Sequence, residues 1–364
     1  MIYFDAGATT LQKPETVARA MYRAVGQLSS PGRGSYPATR AAEETDLQCR
    51  TLAAKLFGVT DPARVVFTSC ATHGLNIAVH TLVKPGGRVI ISGYEHNAVT
   101  RPLHAIPGVE ITVADGPLFD GEEMVRQFAA ALACPADAVI CTHVSNVFGF
   151  RLPVERIAAL CREKGVPFVL DASQSAGMLP VDMDALGAVF IAMPGHKGLY
   201  GPQGTGLLLR GGTGSQSILQ EMPEDLPDRL EAGTHNMPGI AGLLEGLRFV
   251  EQQGVGRIAG HERHLTRQMA ARLRDIPGAE VFYTPEDGAQ TGVLSFRLDG
   301  WDCEALGEAL AAQGAAVRAG LHCAPLAHRT AGTLETGTVR CSFSAFSTTA
   351  QVEHFARILR QIVR

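Results

Sequence analysis

The pattern of apolar and polar positions divides this chain of 364 residues into two contrasting stretches. From about residue 60 to 210, short runs rich in Val, Ile, Leu and Phe alternate with helical segments. The runs at 64–69, 88–92, 110–115, 138–145, 167–173, 188–193 and 204–210 predict strands. Several are apolar throughout, without the alternation of a half-solvated strand, which suits strands buried on both faces of a largely parallel sheet. Between them, 122–133 and 154–164 carry the spacing of amphipathic helices, with Gly165 placed to cap the second. Such alternation predicts an α/β layered fold with a mostly parallel seven-stranded sheet.

Beyond 210 the pattern changes. Residues 211–239 are rich in Gly, Pro and polar groups and read as a long loop, which inside a compact domain usually carries function. Helices are expected at 240–254, 256–276, 302–313 and 349–364, and strands at 279–285, 292–299 and 338–344. That mixture predicts a smaller α+β domain. Two helices, at 13–28 and 38–57, precede the alternating region. The expected division is a large domain over 14–250 and a small domain built from 1–13 with 251–364.

Composition narrows the function classes. With 46% apolar residues the chain can bury one large core and a smaller second one. A formal net charge of -4 gives no reason to expect nucleic acid or an anionic membrane as partner. No run approaches the ~20 apolar residues of a membrane helix. The opening residues lack the charged and apolar regions of a signal peptide, so a cytoplasmic location is expected. Eight cysteines are scattered without a C-x-x-C pair, which fits a reducing compartment and small buried hydrophobes.

Ligands of open α/β sheets bind beyond the carboxyl ends of the strands. Three segments there stand out. Phe168-Val169-Leu170-Asp171 ends a strand on a carboxylate, which is costly to bury unless paired. By itself Asp171 reads more readily as a helix cap or turn residue than as a catalytic one. The second is Met193-Pro194-Gly195-His196-Lys197-Gly198. Of five lysines, Lys13 and Lys55 fall on predicted helices, Lys84 in a turn and Lys164 at a helix end. Lys197 follows an apolar strand in a Gly-rich turn, where desolvation would make it a Schiff-base nucleophile. Read without company, it is a surface loop lysine. The third is Phe67-Thr68-Ser69-Cys70-Ala71-Thr72-His73-Gly74, a strand running into a helix whose N-terminus could seat a phosphate. No Gly-Lys dipeptide exists for a Walker A loop, and 201–206 lack the G-x-G-x-x-G spacing. A phosphate seat, a strand-end Asp and a Gly-flanked Lys, in that order, are the requirements of a pyridoxal phosphate site.

At this point the sequence resembles the class V aminotransferase family of fold-type I pyridoxal-phosphate enzymes, in particular its cysteine desulfurases and selenocysteine lyases. The resemblance runs from Tyr3-Phe4-Asp5-Ala6-Gly7-Ala8-Thr9-Thr10 through Pro31-Gly32-Arg33-Gly34, Glu95-His96-Asn97, Ser145-Asn146-Val147-Phe148-Gly149, Asp171-Ala172-Ser173-Gln174 and Gly195-His196-Lys197. It continues with Glu231-Ala232-Gly233-Thr234-His235-Asn236, Arg318-Ala319-Gly320-Leu321-His322-Cys323-Ala324-Pro325 and Arg340. It implies a homodimeric enzyme using pyridoxal 5'-phosphate, with L-cysteine or selenocysteine as substrate and a sulfur-acceptor protein.

The resemblance also implies roles. Lys197 would carry the cofactor and take the substrate Cα proton, with His96 stacked on the pyridine ring. Asp171 and Gln174 would contact the ring nitrogen and phenolic oxygen. Thr72, His196 and the backbone at Ala71 would hold the phosphate, with Thr234 contributed by the partner subunit. Asn146 and Arg340 would bind the substrate carboxylate region, a task suited to the arginine fork. Cys323 would attack the substrate sulfur, which requires an accessible thiol. Taken alone, Cys323 reads as an inert buried cysteine, and His322 as either a group that activates it or a structural neighbour. Tyr36, Pro194, Ala71 and Gly7 depart from the family pattern. A transaminase, an epimerase or a β-lyase that leaves Cys323 idle is the alternative within the family, and a retired scaffold binding a sulfur-relay partner is the alternative outside enzymes.

Overall fold

The computed structural model describes residues 1–211, 225–231 and 233–363. The chain opens with β1 (Ile2–Tyr3), α1 (Glu15–Gln27) and α2 (Pro37–Leu56). It then alternates through β2 (Val65–Thr68), α3 (Ala71–Leu82), β3 (Arg88–Ser92), α4 (Asn97–His104), β4 (Glu110–Ala114) and α5 (Gly121–Ala131). β5 (Ala138–Thr142), α6 (Val154–Lys164), β6 (Phe168–Asp171), α7 (Met183–Leu186), β7 (Phe190–Pro194) and β8 (Gly206–Arg210) follow.

These strands form one seven-stranded sheet in the order β2-β8-β7-β6-β5-β3-β4. β8 alone runs against its neighbours; the pairings among β3 to β7 are parallel. Every residue of β5, β6 and β7 is buried, which explains why their sequences run apolar up to Thr142, Asp171 and Pro194 rather than alternating. α6 ends where Gly165 takes a left-handed φ of 66°, as its sequence predicted.

The remaining elements are α8 (Met237–Gln253), α9 (Val255–Arg274), β9 (Ala279–Phe282), β10 (Val293–Leu298) and α10 (Cys303–Ala312). After them come β11 (Ala315–Ala316), β12 (Arg318–Gly320), α11 (Pro325–Thr330), β13 (Thr338–Ser342) and α12 (Thr349–Ile362). β12-β13-β10-β9 make an antiparallel sheet with its own core, in which Leu265, Phe296, Val339 and Phe355 are fully buried. Phe4 packs in this core too, and β1 pairs with β11.

Several expectations shift. α8 starts at Met237 rather than 240, because the Asn236 side chain accepts from the Gly239 N–H and caps it earlier. Lys13 lies outside α1 and donates to the Thr10 carbonyl at 2.8 Å instead. α4, β12 and α11 were not anticipated. Of the expected loop at 211–239, residues 212–224 and 232 lie outside the described residues, as does 364 of the last helix.

Candidate active site

The carboxyl ends of β3, β6 and β7 and the N-terminus of α3 meet around a cavity of about 220 Å³. Asp171 is the last residue of β6, His96 caps α4 beyond β3, and Lys197 follows β7. Opposite them, Arg318, His322 and Cys323 arrive from the smaller sheet and the turn after β12. The sheet-end rule therefore locates half of the site, and the smaller sheet with the turn after β12 supplies the rest.

Lys197 is the most tightly held member. The Gly195 N–H donates to the Thr205 carbonyl and the Gly201 N–H to the Gly195 carbonyl, folding the turn back on itself. A Cβ on Gly195 would fall 2.1 Å from Thr205 Oγ1, so glycine is required there. From the opposite side, the Thr10 N–H donates to the His196 carbonyl at 3.0 Å, and Thr10 Oγ1 reaches the carbonyls of His196 and Lys197 at 3.0 and 3.3 Å. Burial pushes the Lys197 amine down to about 8, Arg340 pushes the same way, and Asp171 partly opposes them. A buried amine so depressed is a usable nucleophile and base.

Asp171 Oδ1 accepts from the Ser173 N–H at 2.9 Å, and Gln174 Nε2 donates to the Gly7 carbonyl at 2.9 Å. His96 Nδ1 accepts from the Ala98 N–H at 3.0 Å, which puts the proton of the neutral ring on Nε2. Burial holds His96 down at about 4, with the Asp171 charge acting against it, so its ring is neutral near pH 7. His196 is likewise held near 4 by burial, with Lys197 and Lys13 adding to the effect.

α3 begins at Ala71 with no side-chain cap from Cys70, leaving N–H groups of its first turn directed at the cavity that Ala71 and Thr72 line. Ala71 and Pro194 bring no hydroxyl to this end of the cavity, where Thr72 does. Thr234 is elsewhere in this chain. It is exposed and lines a separate cavity with Phe67, His73 and Leu243. Glu231 fixes that segment by pairing with Arg50 through both oxygens at 2.8 Å. Tyr36 also stands apart from the cavity, its hydroxyl 2.7 Å from Ser29 Oγ.

On the other wall, Cys323 is exposed and His322 buried, and both have left-handed backbones, with φ of 56° and 51°. Such values are unusual for non-glycine residues and need support from the surroundings. The Asn97 N–H donates to the Cys323 carbonyl at 2.8 Å and Asn146 Nδ2 to the His322 carbonyl at 2.8 Å. The His322 ring points inward, with Nε2 3.1 Å from Thr338 Oγ1, and burial holds its pKa well below the ordinary value. It is a structural neighbour. The cation beside the thiol is Arg318, whose Nη2 lies 4.0 Å from Cys323 Sγ.

Arg340 is buried, donating from Nη1 to the Asn146 carbonyl at 2.8 Å and from Nη2 to Asp5 Oδ1 at 2.7 Å. Its Nε has no partner, nor have Asn146 Oδ1, Gln174 Oε1 and His196 Nδ1. Buried polar atoms are seldom left unmatched. Of these, Arg340 Nε can give to a carboxylate, and Asn146 and His196 line the cavity, where a ring with polar substituents would meet them. The residues present thus fit pyridoxal phosphate together with an amino acid.

Arg318 and Asp5 received no role from the sequence, although both stand in quoted motifs. The position of Arg318 five residues before Cys323 was the available signal. Asp5 is 335 residues from the arginine it holds, so no local pattern could have linked them.

The family profile described as aminotransferase class-V matches residues 2–355. A protein of Mycolicibacterium paratuberculosis named probable cysteine desulfurase is 34% identical over all of this chain, which spans 55% of that relative's length. A probable cysteine desulfurase of Methanothermobacter thermautotrophicus is 30% identical, with 99% of this chain and 94% of that protein covered. The solved structure of a cysteine desulfurase from Thermococcus onnurineus has a TM-score of 0.89 at 28% identity, covering 100% of this chain and 94% of that one.

Proposed function

We propose that this chain, which belongs to the class V aminotransferase family, is a cysteine desulfurase: L-cysteine becomes L-alanine and its sulfur passes to Cys323 as a persulfide. One observation carries the reading. A buried amine at Lys197 and an exposed thiol at Cys323, with Arg318 beside it, open on the same cavity.

The family works with pyridoxal phosphate. Bound here, that cofactor would supply the electron sink that lets an amino acid lose its Cα proton. Lys197 would carry it, Asp171, Gln174 and His96 would surround its ring, and the α3 N-terminus with Thr72 and His196 would hold its phosphate. Arg340 has its Nε–H free to donate to the substrate carboxylate, with Asn146 alongside. Lys197 Nζ takes the Cα proton, an exchange its lowered pKa favours. Cys323 Sγ then attacks the substrate sulfur: an S–S bond forms, the C–S bond breaks and the carbon takes a proton. Cysteine and one thiol yield alanine and one persulfide, with no further oxidant. Exposure of Cys323 leaves the persulfide open to an acceptor protein. Selenocysteine suits the same attack. Thr234, exposed on this chain, is a candidate to complete the phosphate seat of a second copy in a homodimer.

Among the described residues, no helix is long and apolar enough to cross a membrane. All eight cysteines are free thiols, which supports a reducing compartment such as the cytoplasm.

The test is release of alanine and sulfide from L-cysteine with a reductant present, in wild type and Cys323→Ala. Wild type should release both. Cys323→Ala should bind the cofactor normally and release neither. A wild type that is inert, or a variant that keeps full activity, rejects the reading in favour of a family reaction that leaves the thiol idle.

A further inference from the structure

Beside the active site lies a second, much smaller cavity, about 10 Å³, the size of a single water position. Glu262 of α9 points into it. Its side chain is buried, and neither carboxyl oxygen has a hydrogen-bond partner. The fit is close, since a Cβ on Gly292 would lie 2.6 Å from Glu262 Oε2. Gly7 and Gln174 line this space as well as the active-site cavity, so the Gln174 amide forms part of the wall between them. Gln174 Nε2 is taken by the Gly7 carbonyl, whereas its buried Oε1 has no partner. Tyr200 also borders the space, and its hydroxyl accepts from the Ala345 N–H at 2.8 Å, leaving its own proton to give.

We propose that Glu262 acts from beside the site as a positioning residue for Gln174, through one water that the Gln174 Oε1 accepts from. The water has the partners it needs: the carboxyl and the Tyr200 hydroxyl can donate to it, and it donates in turn to Gln174 Oε1. This fixes which edge of the amide turns to the cofactor cavity, and Nε2 is the edge able to donate to a phenolic oxygen. A carboxyl that only filled space here would be better replaced by an apolar side chain, because a buried polar group without a partner is destabilising. Burial pushes Glu262 up to about 8, so it is a neutral donor near pH 7. Of the groups walling the space, Tyr200 is the titratable neighbour, and its own pKa is raised by burial and then by Glu262. The β10 and β13 sides present Gly292, Val293, Ser342 and Phe343, which carry no charge.

The inference rests on the cofactor part of the proposed function. The test uses the full chain as wild type, Glu262→Gln and Glu262→Met, with pyridoxal phosphate titrated into each cofactor-free protein in the absence of cysteine. Glu262→Gln keeps a donor and should bind within about threefold of wild type near pH 7; Glu262→Met should bind about tenfold more weakly, the scale of one lost hydrogen bond. The same three are melted without cofactor from pH 5 to 9. The fold favours the neutral acid, so wild type should lose stability relative to Glu262→Gln as pH rises from about 5, and level off above about 8. Tight, wild-type-like binding by a well-folded Glu262→Met would overturn the proposal. If Glu262→Met does not fold, the other pair decides: wild type must lose affinity relative to Glu262→Gln between pH 6 and 9, and coincident curves overturn it. A chain that binds the cofactor but releases neither alanine nor sulfide defeats the desulfurase reading while leaving this test intact.

Discussion

The two turns that carry the reactive groups are built on opposite plans. The Lys197 turn follows a fully buried strand, is fastened by Thr10 and by Gly195 and Gly201, and keeps its amine out of water. The Cys323 turn follows a three-residue strand and leaves its thiol exposed; two asparagines hold its backbone in a left-handed conformation. Burial tunes the first, whereas the second is given a neighbouring cation and an open face. On the proposed function, the first plan suits a group that keeps a cofactor and the second a group that takes sulfur and gives it away.

Removing Lys197 should break this contrast most completely. Lys197→Ala should lower alanine formation by about 10³-fold or more, the scale of a lost acid–base group. It should also leave no lysine that borohydride can link to the cofactor; an alanine assay checks the first, mass spectrometry of the reduced protein checks the second, and a cofactor-bearing lysine elsewhere would contradict the assignment.

Unfastening the same turn is a smaller change. Thr10→Val keeps the shape but removes the hydroxyl that bonds the carbonyls of His196 and Lys197. Stability should fall by about 1–2 kcal/mol in denaturant titration, with weaker pyridoxal phosphate binding to match. The thiol's alkylation rate should not move, because Thr10 does not touch the other turn.

The smallest effect belongs to the exposed turn. Arg318→Ala should slow iodoacetamide attack on Cys323 at pH 7 by about fivefold, as expected for one solvent-screened charge about 4 Å away. Arg318→Lys should restore part of it, and added salt should narrow the difference. Equal rates in wild type and Arg318→Ala would mean that access alone governs this thiol.

The same contrast explains what could be read from the sequence. The large sheet was legible because buried strands such as Phe168–Asp171 and Phe190–Pro194 run apolar up to chemically marked residues. Lys197 and Asp171 were visible for that reason. The Cys323 wall was not: β12 is only three residues, and α4 is eight with Pro102 inside, too short for periodicity to register. Cys323 rested on family resemblance, and the inward direction of His322 depends on Thr338, sixteen residues away and on another strand. Glu262 carries no local signature, because the residues around its carboxyl come from several distant elements.

Residues 5–10 have a consequence in time. They bond to Arg340, Ser342, Gln174 and the Lys197 turn, with Asp5 and Arg340 335 residues apart. At about 5–20 residues per second on the ribosome, roughly 20 seconds to a minute separates the synthesis of Asp5 from that of Arg340. The large sheet can form in that interval while the opening segment still lacks its last anchors. The newborn chain can therefore hold its Lys197 turn well before Asp5 meets Arg340.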